Sequence, residues 1–316
     1  MKQILPVADG AMVRRYAWSV ARRHRRRLTA LIALHALATA AGLIAPWLIG
    51  GLVERVERGT ATTATVNQVV LLIALFLLAQ AVLVRSAGVV SGHLGEAALA
   101  EIREEFVDRS LALPLPTVER AGTGDLLTRS SRDVGTLREA VRHAAPEILI
   151  GFIIVALTLV ALVLVSPLLA VCAVAGAPVL LVGTRWYLRR APAGYLRENA
   201  AYAEINEGLA ATVDGARTVE ALGLGARRRA RADADCAASY DAERYTMGLR
   251  MVWYSCLEVG HLLPVLVTLA FGGFAYTQGW VSLAQVTAAT LYTQSLILPL
   301  NRILDWLDRL QIGAAG

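Results

Sequence analysis

Charged residues fall in blocks along this chain, and four long stretches between the blocks carry none. The first, Leu28–Val53 (LTALIALHALATAAGLIAPWLIGGLV), holds 26 residues without a formal charge. As a helix it would reach about 39 Å, more than the ~30 Å of bilayer hydrocarbon. The second runs from Gly59 to Val84, apolar from Val66 onward and ended by Arg85. The third, Ile148–Thr184, is 37 residues long, twice one crossing, with Ser166-Pro167 near its middle where proline ends a helix. It predicts a tight hairpin of two spans. The fourth, Val259–Asn301, is 43 residues long and is interrupted by Gln278-Gly279-Trp280, a glycine-containing break with an interfacial aromatic. The pattern predicts an all-α membrane protein with six spans, at about 28–53, 66–92, 146–165, 168–188, 252–277 and 282–306.

The connections differ sharply in length and charge. Around Leu94–Leu111 and Asn199–Leu222, apolar residues recur at helical spacing with charges between them, as in Leu99, Ile102, Phe106 and Val107 beside Arg103, Glu104 and Glu105. Both segments predict helices that continue beyond the bilayer. An unbroken helix from Val66 to Leu111 would extend about 69 Å, over twice the hydrocarbon thickness. Basic residues fix the sidedness. Eight precede the first span, eight lie in Arg85–Glu147 and eleven in Arg185–Arg250, against two, none and none in the opposite connections. The two long connections also hold ten and nine acids, which weigh little in this rule. Both termini and both long connections are therefore expected in the cytoplasm, with the chain in the cell membrane. Residues 1–27 form a separate basic segment, where Val13–Arg27 combines Tyr16, Trp18 and Val20 with clustered arginines. It reads as an interfacial helix on an anionic leaflet or as charges that only set topology.

Composition narrows the chemistry. Apolar residues make up 56% of the chain, charged residues 18%, and mean hydropathy is +0.53, outside the range of soluble domains. The 26-residue first run is too long for the core of a cleaved signal peptide and is expected to stay as an anchor. Of 31 basic residues all but Lys2 are arginine, so these 316 residues can hold no GxxxxGK[ST] phosphate loop, whose lysine reaches the nucleotide phosphates. Cys172, Cys236 and Cys256 are odd in number and lack metal-ligand spacing. No Ser/His/Asp arrangement is present, and the basic patches lack the interleaved aromatics that stack on bases.

The polar connections carry recognisable words. Leu111–Val141 contains Pro116, Gly124-Asp125, Arg129 and Asp133-Val134, and resembles the first intracellular loop of ATP-binding-cassette (ABC) exporters. Thr117-Val118 stand where that family usually has an aromatic pair. Glu204–Arg229, with Glu207, Gly215 and Val219-Glu220-Ala221-Leu222, is similar to the second loop, and Gly279–Gln311 resembles the sixth-span region, with GWVSLAQ at its start and Pro299 about halfway. The resemblance covers nearly the whole chain. It implies a homo- or heterodimer of membrane domains coupled to nucleotide-binding domains in cis or in trans, which would bind ATP and Mg; no cofactor is expected on this chain itself. It also implies coupling helices near Leu115–Thr123 and Arg217–Ala226, with Pro116, Glu119, Gly124, Asp125, Arg129, Asp133, Arg217, Glu220 and Leu222 at the contact. The close at LQIGAAG, where family members would enter a nucleotide-binding domain, is expected of a piece of a longer chain, a truncated gene or a partner of a separately encoded ATPase.

Ionisable and amide groups inside spans are suspects for a translocation pathway, because stranding them in hydrocarbon is costly. His35, Gln80 and Gln294 could line a cavity or bond between helices. Glu258 and His261, three apart near the start of the fifth span, could pair or lie solvated at the boundary. Glu147, after Pro146, fits a helix N-terminal cap. Small residues such as Ala36, Ala38, Ala40, Ala41 and Gly42 suit close helix packing. An ion-coupled transporter using Glu258 and His261, or a motorless membrane scaffold or regulator, are the alternative readings. A largely apolar cavity would suit amphipathic small molecules, lipids or peptides.

Overall fold

A computed structural model describes Ser19, residues 22–111 and residues 145–315. Among these the regular structure is helical: α1 (Arg25–Glu57), α2 (Thr63–Leu111), α3 (Ala145–Val165), α4 (Pro167–Ala173), α5 (Ala177–Asp214), α6 (Ala216–Ala221), α7 (Gly225–Thr277), α8 (Leu283–Ser295) and α9 (Ile297–Ala315). Five stretches are long and apolar enough to cross a bilayer: Arg25–Glu57, Thr63–Glu105, Pro146–Val165, Pro167–Asp214 and Gly225–Thr277. The expected continuation of the second span is realised as one 49-residue helix, α2, about 73 Å long.

The sixth stretch, expected at 282–306, is carried by two helices that meet at Leu296. Pro299 explains the break: it has no N–H to give Ser295, four residues back, so α8 stops there. The fourth stretch is divided likewise. Val174–Gly176 interrupt it between α4 and α5, and Pro178 lies in the first turn of α5, where a missing N–H costs nothing.

The chain forms two compact units. The first comprises the described residues up to Val171 together with Thr268–Trp306. Here α1 packs against α2, α3 and α8, and α8 also packs against α3. Small residues make this possible, since lipid tails are as apolar as leucine and helices associate by close fit. A Cβ on Gly50 would lie 2.5 Å from the Ala284 carbonyl oxygen, and one on Gly151 would lie 2.7 Å from Ile303. Ala288 and Ala289 are buried, whereas Leu71, Leu78 and Leu164 remain exposed, as suits faces bathed in hydrocarbon.

Polar groups fasten the same unit. Ser282 caps α8 in a capping box with Gln285, whose side-chain Oε1 accepts from the Ser282 N–H at 2.9 Å. The amide nitrogen of Gln285 also donates to the Val165 carbonyl at 2.8 Å, supplying a donor to the last carbonyl of α3. The Tyr292 hydroxyl donates to the Leu43 carbonyl at 2.6 Å. Before α1, Arg23 pairs with Glu101 of α2, and the ring Nε2 of His24 lies 3.2 Å from the same carboxylate.

The second unit comprises Cys172–Val267 and the residues from Leu307. Its frame is α5 beside α7. Close approaches run from Gly176 against Gly260, through Gly183 against Cys256 and Gly194 against Thr246, to Gly208 against Asp235. As one number rises the other falls, so the helices are antiparallel over about 50 Å. The prolines Pro192 and Pro264 lie inside these helices without ending them.

Candidate functional site

The far end of the α5–α7 pair is built for display. Gly215 ends α5, its N–H bonding the Ala211 carbonyl at 3.1 Å, and its own carbonyl then receives the N–H groups of Thr218 and Val219 at 2.9 Å to start α6. The six residues of α6 close in a Schellman arrangement, with Gly223 N–H to Glu220 O at 3.1 Å and Leu224 N–H to Val219 O at 2.9 Å. Gly223 adopts φ +62°, a left-handed conformation that a side chain would resist. Two glycines thus delimit a short helix crossing between two long ones, and α7 begins at Gly225.

One arginine holds the long helices together below this tip. Arg228 of α7 donates from Nε to the Thr212 hydroxyl at 2.9 Å, and from Nη2 to that hydroxyl at 2.6 Å and the Gly208 carbonyl at 2.9 Å. Further down, Arg231 pairs with Asp235 at 3.1 Å, and the Thr246 hydroxyl donates to Glu198 at 2.6 Å. Above the clamp, Arg217, Glu220 and Leu222 are all exposed, Leu222 at 66%. A positive charge, a negative charge and a bare leucine thus lie exposed within six residues, with no ion pair to them among the described residues. The other residues expected at the coupling contact, Pro116, Glu119, Gly124, Asp125, Arg129 and Asp133, lie outside the described residues.

The residues expected to line a pathway are dispersed. In the first unit, Gln80 lies over Gly42 and borders a cavity of about 270 Å³ shared with Thr39, Thr158 and Arg302. His35 is buried with its Nε2 lacking a hydrogen-bond partner, and Gln294 is exposed. In the second unit, Glu258 and His261 share no hydrogen bond or ion pair among the described residues. Glu258 points to the surface while His261 is buried with an unpartnered Nε2. Glu147 stands inside the first turn of α3, where a carboxylate suits the helix dipole, with Arg302 at 3.5 Å. The three cysteines are free thiols, and no cluster of metal-ligating side chains occurs among the described residues.

Sequence reasoning missed a buried polar cluster in the second unit. Asp308 of α9, 6% exposed, accepts a hydrogen bond from the Tyr187 hydroxyl at 2.5 Å and from Tyr195 at 3.4 Å. Arg250 of α7 reaches Asp308 at 3.8 Å and donates to the Tyr195 hydroxyl at 2.9 Å. Tyr187 also stacks on Trp253, ring centroids 4.4 Å apart and nearly parallel. The cluster ties α9 to both long helices. Tyr187 and Tyr195 lie eight apart, two turns along one face of α5, which is the local signal for shared duty. Their partners on α7 and α9 carry no such signal.

With this geometry in view, comparison with known proteins is informative. Residues 28–300 match the family described as the ABC transporter transmembrane region. An uncharacterised ABC transporter ATP-binding protein, YfiC, of Bacillus subtilis is 18% identical over 96% of this chain and 50% of its own length. Fatty acid ABC transporter ATP-binding/permease proteins of Mycobacterium bovis and Mycobacterium tuberculosis are each 25% identical over 69% of this chain and 34% of their own. The chain thus spans half or less of the length of these curated relatives. With a family match over most of its residues and a fold of long apolar helices, this chain belongs to the transmembrane region of ABC transporters.

Proposed function

We propose that the chain is the membrane-spanning half of an ATP-driven exporter. It pairs with a second copy or a related partner and receives its driving force from nucleotide-binding domains that hold ATP and Mg. The observation that carries this reading is α6, an exposed six-residue helix at the end of an antiparallel pair about 50 Å long. A helix pair that extends so far and ends in a rigid, glycine-bounded crosspiece acts as a lever when its tip is gripped. The ATP-binding names of the relatives support a motor in the same assembly. The arginine-rich connections support a cytoplasmic position for the tip and a cell-membrane location for the spans.

The test needs no knowledge of the substrate. A cysteine replacing Leu52, on the wall of a cavity in the first unit, is labelled from outside intact cells by a membrane-impermeant maleimide with the whole transporter assembled. The labelling rate is expected to change when ATP is depleted. Replacing Arg217, Glu220 and Leu222 together by alanine is expected to erase that change while ATP hydrolysis continues, because a coupling of about 1–3 kcal/mol is removed at its contact. An undiminished ATP-dependence in the triple variant would refute the role given to α6.

A further inference from the structure

The geometry points to a binding site in the first unit for a single-chain anionic amphiphile, with Arg55 of α1 recognising its head group. A cavity of about 750 Å³ opens here, within the size range of small-molecule sites. Its wall is largely apolar, supplied by Trp47 and Leu52 of α1, Val69 of α2, Leu164 of α3 and Ala288 of α8.

Most of the polar groups around it are already engaged, and of its two charged residues only Arg55 lacks a side-chain partner among the described residues. Both ends of the Gln285 amide are bonded, to the Ser282 N–H and the Val165 carbonyl, and the Ser282 hydroxyl accepts from the Gln285 N–H. The Tyr292 hydroxyl is bonded to Leu43. Glu54 is paired with Arg58, and Glu57, in the same turn, accepts from the Tyr276 hydroxyl. Arg55 also borders the cavity, and its guanidinium meets no carboxylate among the described residues. Its backbone carbonyl receives Thr60 and Ala61, so the base of the side chain is fixed while its fork is uncommitted.

These facts define the occupant. Arg55 is exposed at the rim and the wall beside it is apolar, so an occupant with an anionic head and an aliphatic tail matches both. A carboxylate or sulfate accepts two parallel N–H bonds from an arginine fork, and an alkyl tail then covers the wall. From Arg55 back to Trp47 is eight residues along α1, about 12 Å, the reach of a medium-length alkyl chain. The role of such a ligand as cargo rests on the exporter reading above, whereas its binding requires no nucleotide and is measured separately.

Trp47 provides the signal. The purified transporter in lipid nanodiscs is titrated, without ATP, with a dodecanoate brominated at its tail and with the matching brominated alkyl trimethylammonium. Fluorescence quenched by bromine is compared with that of the Trp47→Phe protein, so that quenching of the other tryptophans is subtracted. The Trp47 component is expected to quench saturably with the carboxylate and not with the ammonium. Arg55→Ala should weaken the apparent affinity roughly tenfold or more, the effect of losing charged hydrogen bonds, while Arg55→Lys, which keeps the charge but not the fork, should lie between the two. Arg55 has no side-chain partner to lose among the described residues, and Leu52→Phe, which narrows the cavity with the charge intact and adds no indole, should also weaken the saturable component. Equal quenching by the two amphiphiles, or an Arg55→Ala curve superimposable on the parent, would overturn the assignment. Loss of ATP-dependent labelling with retained carboxylate binding would instead count against the motor alone.

Discussion

Gly176→Ala is expected to be the most damaging single-methyl substitution in the second unit. The added Cβ would lie 1.9 Å from the Gly260 carbonyl oxygen and within 2.9 Å of the Pro264 ring. Neither obstacle can turn aside, since one is backbone and the other a closed ring inside α7. The helices α5 and α7 must separate where they are most closely apposed, and the contacts below would loosen with them. Overpacking against rigid neighbours costs about 1–3 kcal/mol or more, so a fall in melting temperature of roughly 5–10 °C in detergent is expected. The mirror substitution, Gly260→Ala, meets mainly the Leu180 side chain, which can rotate, and should cost less. Gly88→Ala meets nothing within 4 Å and should be neutral or stabilising by up to about 1 kcal/mol, the helix propensity difference. Equal melting of Gly176→Ala and the parent protein would show that α5 and α7 are not apposed as described.

The second large effect is expected at the buried cluster. Arg250→Ala leaves the Asp308 carboxylate buried with only tyrosine hydroxyls around it. Breaking a fully buried pair costs about 3–5 kcal/mol, but the Arg250 side chain is 32% exposed and part of the attraction is screened, so about 2–3 kcal/mol is expected. Tyr187→Phe removes the 2.5 Å donor and should cost about 1–3 kcal/mol. The diagnostic is the double substitution. With Arg250 and Asp308 both replaced by alanine no unpaired charge remains, so the combined loss should fall short of the sum by about 1 kcal/mol or more. Strictly additive losses in thermal unfolding would mean that the two groups do not interact.

Much of this architecture was legible in the chain itself, for definite reasons. Spans announce themselves because hydrocarbon excludes charge, and the long α2 could be read through Arg85 because its apolar residues keep helical spacing as far as Leu111. The short helix at the tip was expected near Arg217–Ala226 from the resemblance alone, and it forms at Ala216–Ala221, stopped early by Gly223 at φ +62°. The interruption at Leu296 has a cause in the sequence, Pro299, but a proline marks the carbonyl it orphans four residues earlier, which is easily misplaced by a turn. Glu258 and His261, about 60° apart around the helix, straddle the edge of its packed face, so that one side chain is exposed and the other buried, and spacing alone does not locate that edge. The cluster at Asp308 could not be read at all, since Tyr187 and Asp308 are 121 residues apart and local periodicity carries no information across that distance.

The central claim is that the exposed tip of α6 is where a nucleotide-binding domain takes hold. With Cys172, Cys236 and Cys256 replaced by alanine, a cysteine at position 222 is oxidised in the assembled transporter against a series of single cysteines on the nucleotide-binding domain. The expected result is one strong disulfide adduct, confined to a single groove and altered by ATP, with no labelling of Leu222→Cys by an impermeant maleimide applied outside intact cells. Labelling from outside, with no adduct at any position on the nucleotide-binding domain, would contradict the claim.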